Sequence, residues 1–71
     1  MLESRKDRFK RLATTRTNAV LEKLRILGNL SNKANYDYSP EDVRKIFRAI
    51  DEQLRVIKAK FSGSTKREFK L

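Results

Sequence analysis

The residues of this chain that carry usable chemistry are cations. Arg5, Lys6, Arg8, Lys10, Arg11 and Arg16 fall within the first sixteen positions, accompanied there only by the acids Glu3 and Asp7. Such a row can bind the phosphates of a nucleic acid by releasing the counterions condensed on them, a chemistry of charge rather than of bond making. A soluble helix also carries charge for solvation alone, and that plainer reading stands beside the first. The residues for other chemistries are missing. There is no Cys and no His, which removes thiolates, disulfides and the usual zinc ligands together. A general base working near neutral pH would have to be a carboxylate or lysine strongly perturbed by burial, and a small helical body has little depth for that. Gly28 and Gly63 are the only glycines, too few for a phosphate-cradling loop, and the acids do not follow calcium-loop spacing. The expectation is a non-enzymatic protein with no catalytic residues, metal, cofactor or small-molecule substrate.

A second polar group, Asn29, Asn32 and Asn35 with Tyr36 and Tyr38, lies in the middle of the chain. Aromatic rings and amides can stack on and hydrogen-bond unpaired bases. The asparagines equally suit a helix end and a turn, and Tyr38 has a folding role described below, so the structural reading is preferred.

Eighteen Lys and Arg against nine Asp and Glu give 71 residues a net charge of +9, which calls for an acidic partner. No apolar run approaches the ~20 residues that cross a bilayer, and the N-terminal residues lack the apolar stretch of a signal peptide. The basic segment also lacks the broad apolar and aromatic face of an interfacial helix, so no membrane is expected and the location read is cytoplasmic.

Two amphipathic elements must position these groups. Phe9, Leu12, Ala13, Val20, Leu21, Leu24 and Leu27 recur at helical intervals, with Ile26 and Leu30 widening the stripe. The second element opens on a strong helix-start signal. Ser39 can cap the helix, Pro40 sits at its first position, Glu41 and Asp42 face the positive end of the dipole, and Tyr38 and Val43 can clamp the entering chain. Val43, Phe47, Ile50, Leu54, Ile57 and Phe61 then alternate steps of four and three, the pattern of a helix-packing seam. Arg44, Arg48, Arg55 and Lys58 occupy the other face, with ion pairs expected between Glu41 and Lys45 and between Asp51 and Arg55. Gly28 is either the C-terminal cap of the first helix or a small residue within it. An eleven-residue connection would be long for a bundle, so the first helix is expected to continue to about Asn32 or Ala34. That gives about 29 and 22 residues, roughly 43 and 33 Å, with the N-terminal turns projecting beyond Phe61 or meeting the tail.

The expected fold is all-α, an antiparallel two-helix hairpin with helices over 4–33 and 40–61. Residues 1–61 form the hairpin domain and 62–71 a basic tail, flexible or docked through Phe69 and Leu71. A lone hairpin covers one side of each helix, so it is expected to dimerise into a four-helix bundle or dock on a partner through Leu24, Leu27, Phe47, Ile50, Leu54, Ile57 and Phe61.

The segment Ile26-Leu27-Gly28-Asn29-Leu30-Ser31-Asn32, with Asn35-Tyr36-Asp37-Tyr38-Ser39-Pro40-Glu41-Asp42-Val43-Arg44-Lys45-Ile46-Phe47, resembles small uncharacterised bacterial proteins carried by phages, plasmids and other mobile elements. The resemblance covers residues 16 to 61 and neither basic end. It implies a self-contained helical accessory protein in a bacterial or phage setting, with no activity or site residues to transfer. The functional expectation is an accessory protein that holds DNA or RNA phosphates through the basic N-terminal helix. The alternative is a protein-interaction module, a regulator or inhibitor that binds a larger protein, whether or not that protein handles nucleic acid, through its helical hairpin.

Overall fold

A computed structural model describes residues 2–63, which form two α-helices joined through a 3₁₀ turn and contain no strand. The chain divides into two units, Met1–Asp37 and Tyr38–Leu71. The expected docking of Phe69 and Leu71 lies outside the described residues.

In the first unit, helix α1 spans Arg5–Gly28. Its start is set by Ser4, whose backbone is extended and whose Oγ accepts a hydrogen bond of 3.0 Å from the Asp7 amide. The Ser4 carbonyl accepts the first intrahelical bond, from the Arg8 amide at 2.9 Å. This cap satisfies an amide that the helix cannot satisfy itself.

The end of α1 corrects the expected continuation to Asn32 or Ala34. The α-helix stops at Gly28 and tightens into one 3₁₀ turn, Asn29–Ser31. Gly28 does not act as a left-handed cap, because its φ and ψ of −62° and −23° are those of an ordinary helical residue. What stops the helix is Asn32. Its backbone turns extended, its Oδ1 accepts from the Ala34 amide at 2.9 Å, and its carbonyl accepts from the Asn35 and Tyr36 amides. An asparagine side chain that bonds the backbone two residues on offers the chain an alternative to the helix, and here that alternative wins.

Helix α2 spans Pro40–Ser62, one residue beyond the expected end. Its start carries the full reciprocal box: the Asp42 amide donates to Ser39 Oγ at 3.1 Å, and the Ser39 amide donates to Asp42 Oδ2 at 2.9 Å. Tyr38 and Val43, the expected clamp, are both half-buried where their neighbours are exposed. At the other end Gly63 takes φ 70°, the left-handed conformation that favours glycine, and Ser62 Oγ donates to the Ala59 carbonyl.

The helices contain 24 and 23 residues, about 36 and 35 Å at ~1.5 Å per residue. The two α-helices are therefore nearly equal in length, where about 29 and 22 residues were expected. No described side chain is buried, so within each unit the apolar stripe is an open surface rather than a core.

Candidate nucleic-acid interface

The six cations singled out in the sequence all lie on α1 and are all exposed, but they are not equivalent. Arg11 is held by Glu3, which precedes the helix: Nε donates to Oε2 at 2.7 Å and Nη2 to Oε1 at 3.0 Å. The carboxylate draws the Arg11 guanidinium further toward its charged form, and the guanidinium in turn holds the Glu3 carboxyl below its ordinary value. Arg5, Lys6, Arg8, Lys10 and Arg16 have no ion pair among the described residues.

Lys23, Lys45, Arg48, Lys58 and Lys60 likewise have no ion pair among the described residues, so what sets the five apart is their grouping within residues 5–16, whereas three of the four described arginines elsewhere are paired. Arg25 forks onto Glu22, Arg44 donates to Glu41 at 2.7 Å, and Arg55 donates to both Glu52 oxygens. Each pair is three residues apart. The expected pairs Glu41–Lys45 and Asp51–Arg55, four residues apart, are replaced by Glu41–Arg44 and Glu52–Arg55. For Glu41 the planar guanidinium of Arg44 fits the carboxylate better than the point charge of Lys45 does, and for Arg55 the longer side chain of Glu52 takes the place of Asp51. Exposed pairs of this kind stabilise little, yet they neutralise charge locally.

The uncompensated cations also stand at the wrong end of their helix. Arg5, Lys6 and Arg8 occupy the first turn, where the aligned peptide dipoles favour anions, and Asp7 is the sole acid there. Neither helix stability nor ion pairing accounts for them.

The seven apolar residues assigned to an interface divide between the helices. Leu24 and Leu27 are on α1, with Leu27 half-buried. Phe47, Ile50, Leu54, Ile57 and Phe61 follow one face of α2, where Phe47 is 51% exposed, Leu54 44% and Phe61 73%. Val43 and Ile46 complete that stripe, while Val56 falls on the opposite, charged face and interrupts it.

The sequence reading missed Glu3. Rules for helical pairs look three or four residues along, and Glu3 reaches Arg11 over eight because it approaches from outside the helix. It likewise missed Ser4 and Asp7, whose spacing does signal a cap and could have been read. Of the central polar group, Asn32 forms the turn, and Tyr36 is exposed. Among the described residues no acidic cluster suited to a metal occurs, and no helix is long and apolar enough to cross a membrane. Comparison of the chain with protein-family models, curated proteins and solved structures finds no match.

Proposed function

We propose that this chain is a non-enzymatic nucleic-acid-binding accessory protein that holds phosphates through the N-terminal turns of α1, in the bacterial or phage setting the sequence resemblance implies. The observation that carries the reading is the grouping within residues 5–16 of five exposed cations, Arg5, Lys6, Arg8, Lys10 and Arg16, that have no carboxylate partner among the described residues. A phosphate backbone would supply the missing counter-charge. If all five engage phosphates of duplex DNA, the logarithm of affinity falls with the logarithm of salt concentration with a slope of about −4 to −5. Titration of the chain with DNA and RNA across salt concentrations tests this. No binding at low salt, or binding that survives neutralisation of the cluster, overturns it.

The second reading, a protein-interaction module, draws on the open stripe of α2 from Val43 to Phe61. In the working form we propose that α1 and α2 pair as an antiparallel hairpin and that two hairpins associate, which would cover that stripe. Light scattering measures the association, and a nuclease-treated pulldown recovers a heterologous partner if one takes its place. A monomer at micromolar concentration with no stoichiometric partner overturns both forms of coverage.

A further inference from the structure

We propose that α1 does more than hold phosphates: the face made by Arg11, Thr14, Thr15 and Asn18 reads base edges in the major groove of duplex DNA, with Arg11 presented by Glu3. This rests on the nucleic-acid reading above and makes it specific in ligand and in atoms.

Helical register puts these four residues together. From Arg11, Thr14 is three residues on, Thr15 four and Asn18 seven, so they share one face. The apolar residues Phe9, Ala13, Val20 and Leu27 lie on the other side of the same helix, since two residues turn the helix by about 200°. Of the uncompensated cations, Lys10 and Arg8 lie on opposite flanks of the polar face, while Lys6, Arg5 and Arg16 lie further round toward the apolar side. A helix resting on a flat acidic surface needs its charges on one side only. A helix lying between two walls of phosphate needs them on both flanks, with uncharged donors and acceptors between.

The residues between the flanks are unusual for their position. Thr14, Thr15 and Asn18 are exposed, and they make no side-chain hydrogen bond among the described residues. Threonine and asparagine are poor helix formers, and together with Thr17 they fill four of five consecutive positions in the middle of α1. Solubility alone would be served better by Glu, Lys or Gln. Their donors and acceptors, and the threonine methyls, match what the major groove displays: Asn can pair with adenine N6 and N7, and Thr methyls can meet the thymine methyl.

Arg11 supplies the strongest geometric argument. Glu3 occupies the Nε/Nη2 edge of the guanidinium. The end-on edge, formed by Nη1 and the remaining N–H of Nη2, is left facing away from Glu3 and carries the parallel pair of donors that fits O6 and N7 of guanine. The carboxylate therefore favours this rotamer without occupying the reading edge, which reduces the ordering entropy lost on binding. From Arg11 to Asn18 the helix rises about 10 Å, the span of about three base pairs at ~3.4 Å each. The B-form major groove, about 12 Å wide, admits an α-helix; the deep groove of duplex RNA does not.

The test uses the full chain and a pool of short duplex DNAs with a randomised core, from which bound sequences are selected, with duplex RNA and single-stranded DNA as parallel probes. The expected result is enrichment of a short core containing guanine. On the enriched duplex, Asn18→Ala and Thr14→Ala/Thr15→Ala should each lose about tenfold or more in preference over unselected DNA while keeping the salt slope. All three changes favour the helix, and circular dichroism verifies that it persists. Glu3→Gln should raise affinity for unselected DNA and narrow the preference for guanine, because it frees Arg11 and removes a negative charge. Binding of all duplexes alike, unchanged by these variants, overturns the base-reading inference and leaves the phosphate reading standing. A preference for duplex RNA or single strands does the same. Failure of every nucleic acid to bind at low salt overturns both.

Discussion

Helices α1 and α2 are almost equal in length and distribute their side chains in opposite ways. Helix α1 carries eight basic and two acidic residues, a net charge of +6, and its cations surround it. Helix α2 carries six basic and four acidic residues, a net of +2, and separates a continuous apolar stripe from a charged face on which Arg44 and Arg55 are paired. Their starts differ as well. The α2 start has a reciprocal box with two acids at the positive end of the dipole, whereas α1 begins with a single serine cap and three cations. The local signals of α2 agree with one another, as expected of an element selected to fold and pack. Those of α1 conflict, and disagreement between local preference and observed structure is characteristic of residues selected for contact with something else. On the proposed function the division of labour would run between helices, with α2 serving association and α1 a charged ligand.

The sharpest way to break this comparison is to remove equal charge from each helix. Changing Arg5, Lys6, Arg8 and Lys10 to Gln should reduce nucleic-acid affinity about a thousandfold or more near 0.1 M salt and flatten the salt dependence. Changing Lys45, Arg48, Lys58 and Lys60 to Gln should leave both within a few-fold. Equal losses in a fluorescence-anisotropy titration would abolish the distinction. The converse experiment places a charge in the stripe: Leu54→Asp should raise the dissociation constant for self-association at least a hundredfold, measured by sedimentation, while Val20→Asp on α1 has a smaller effect.

Smaller effects probe the two starts. Ser39→Ala should cost about 1 kcal/mol of stability in thermal unfolding, more than Ser4→Ala, since only Ser39 takes part in a reciprocal box. Acidification should echo this. The Ser39 amide, and secondarily its hydroxyl, hold the Asp42 carboxyl below its ordinary value, and Arg11 does the same for Glu3. A carboxyl with a lowered folded-state value contributes stability that is fully present above the ordinary carboxylate range and is lost as pH falls through the folded-state value. Helicity should therefore fall below about pH 4, and Asp42→Asn should remove part of that dependence. At the small end, Gly28→Ala should increase helix content and raise stability by up to about 1 kcal/mol. Gly28 has helical dihedral angles, and a Cβ there meets nothing within 4 Å.

Much of this was legible in the residues. The α2 start was readable because serine, proline, acids and an apolar pair each act within one turn and point to the same position. The Gly63 stop was readable because a left-handed residue after a helix favours glycine. The end of α1 was not, because it depends on competition between a helix and the side chain of Asn32, two outcomes close in energy that periodicity does not rank. Ion-pair partners were misassigned for a related reason, since spacing alone does not weigh the guanidinium of Arg44 against the ammonium of Lys45 for Glu41, or the longer Glu52 against Asp51 for Arg55. For the candidate site, the cations were visible as a cluster. Their inequality was not, because the Glu3–Arg11 pair forms only once the chain preceding α1 folds back along its first turns.

The cationic first turn of α1 has a thermodynamic consequence. Mutual repulsion and the helix dipole both disfavour it in the free protein, so added salt screens the penalty and stabilises the helix, while the same salt would weaken the proposed hold on phosphate. One variable then moves stability and binding in opposite directions, and by linkage the ligand itself should raise the melting temperature most where the free chain is weakest, at low ionic strength.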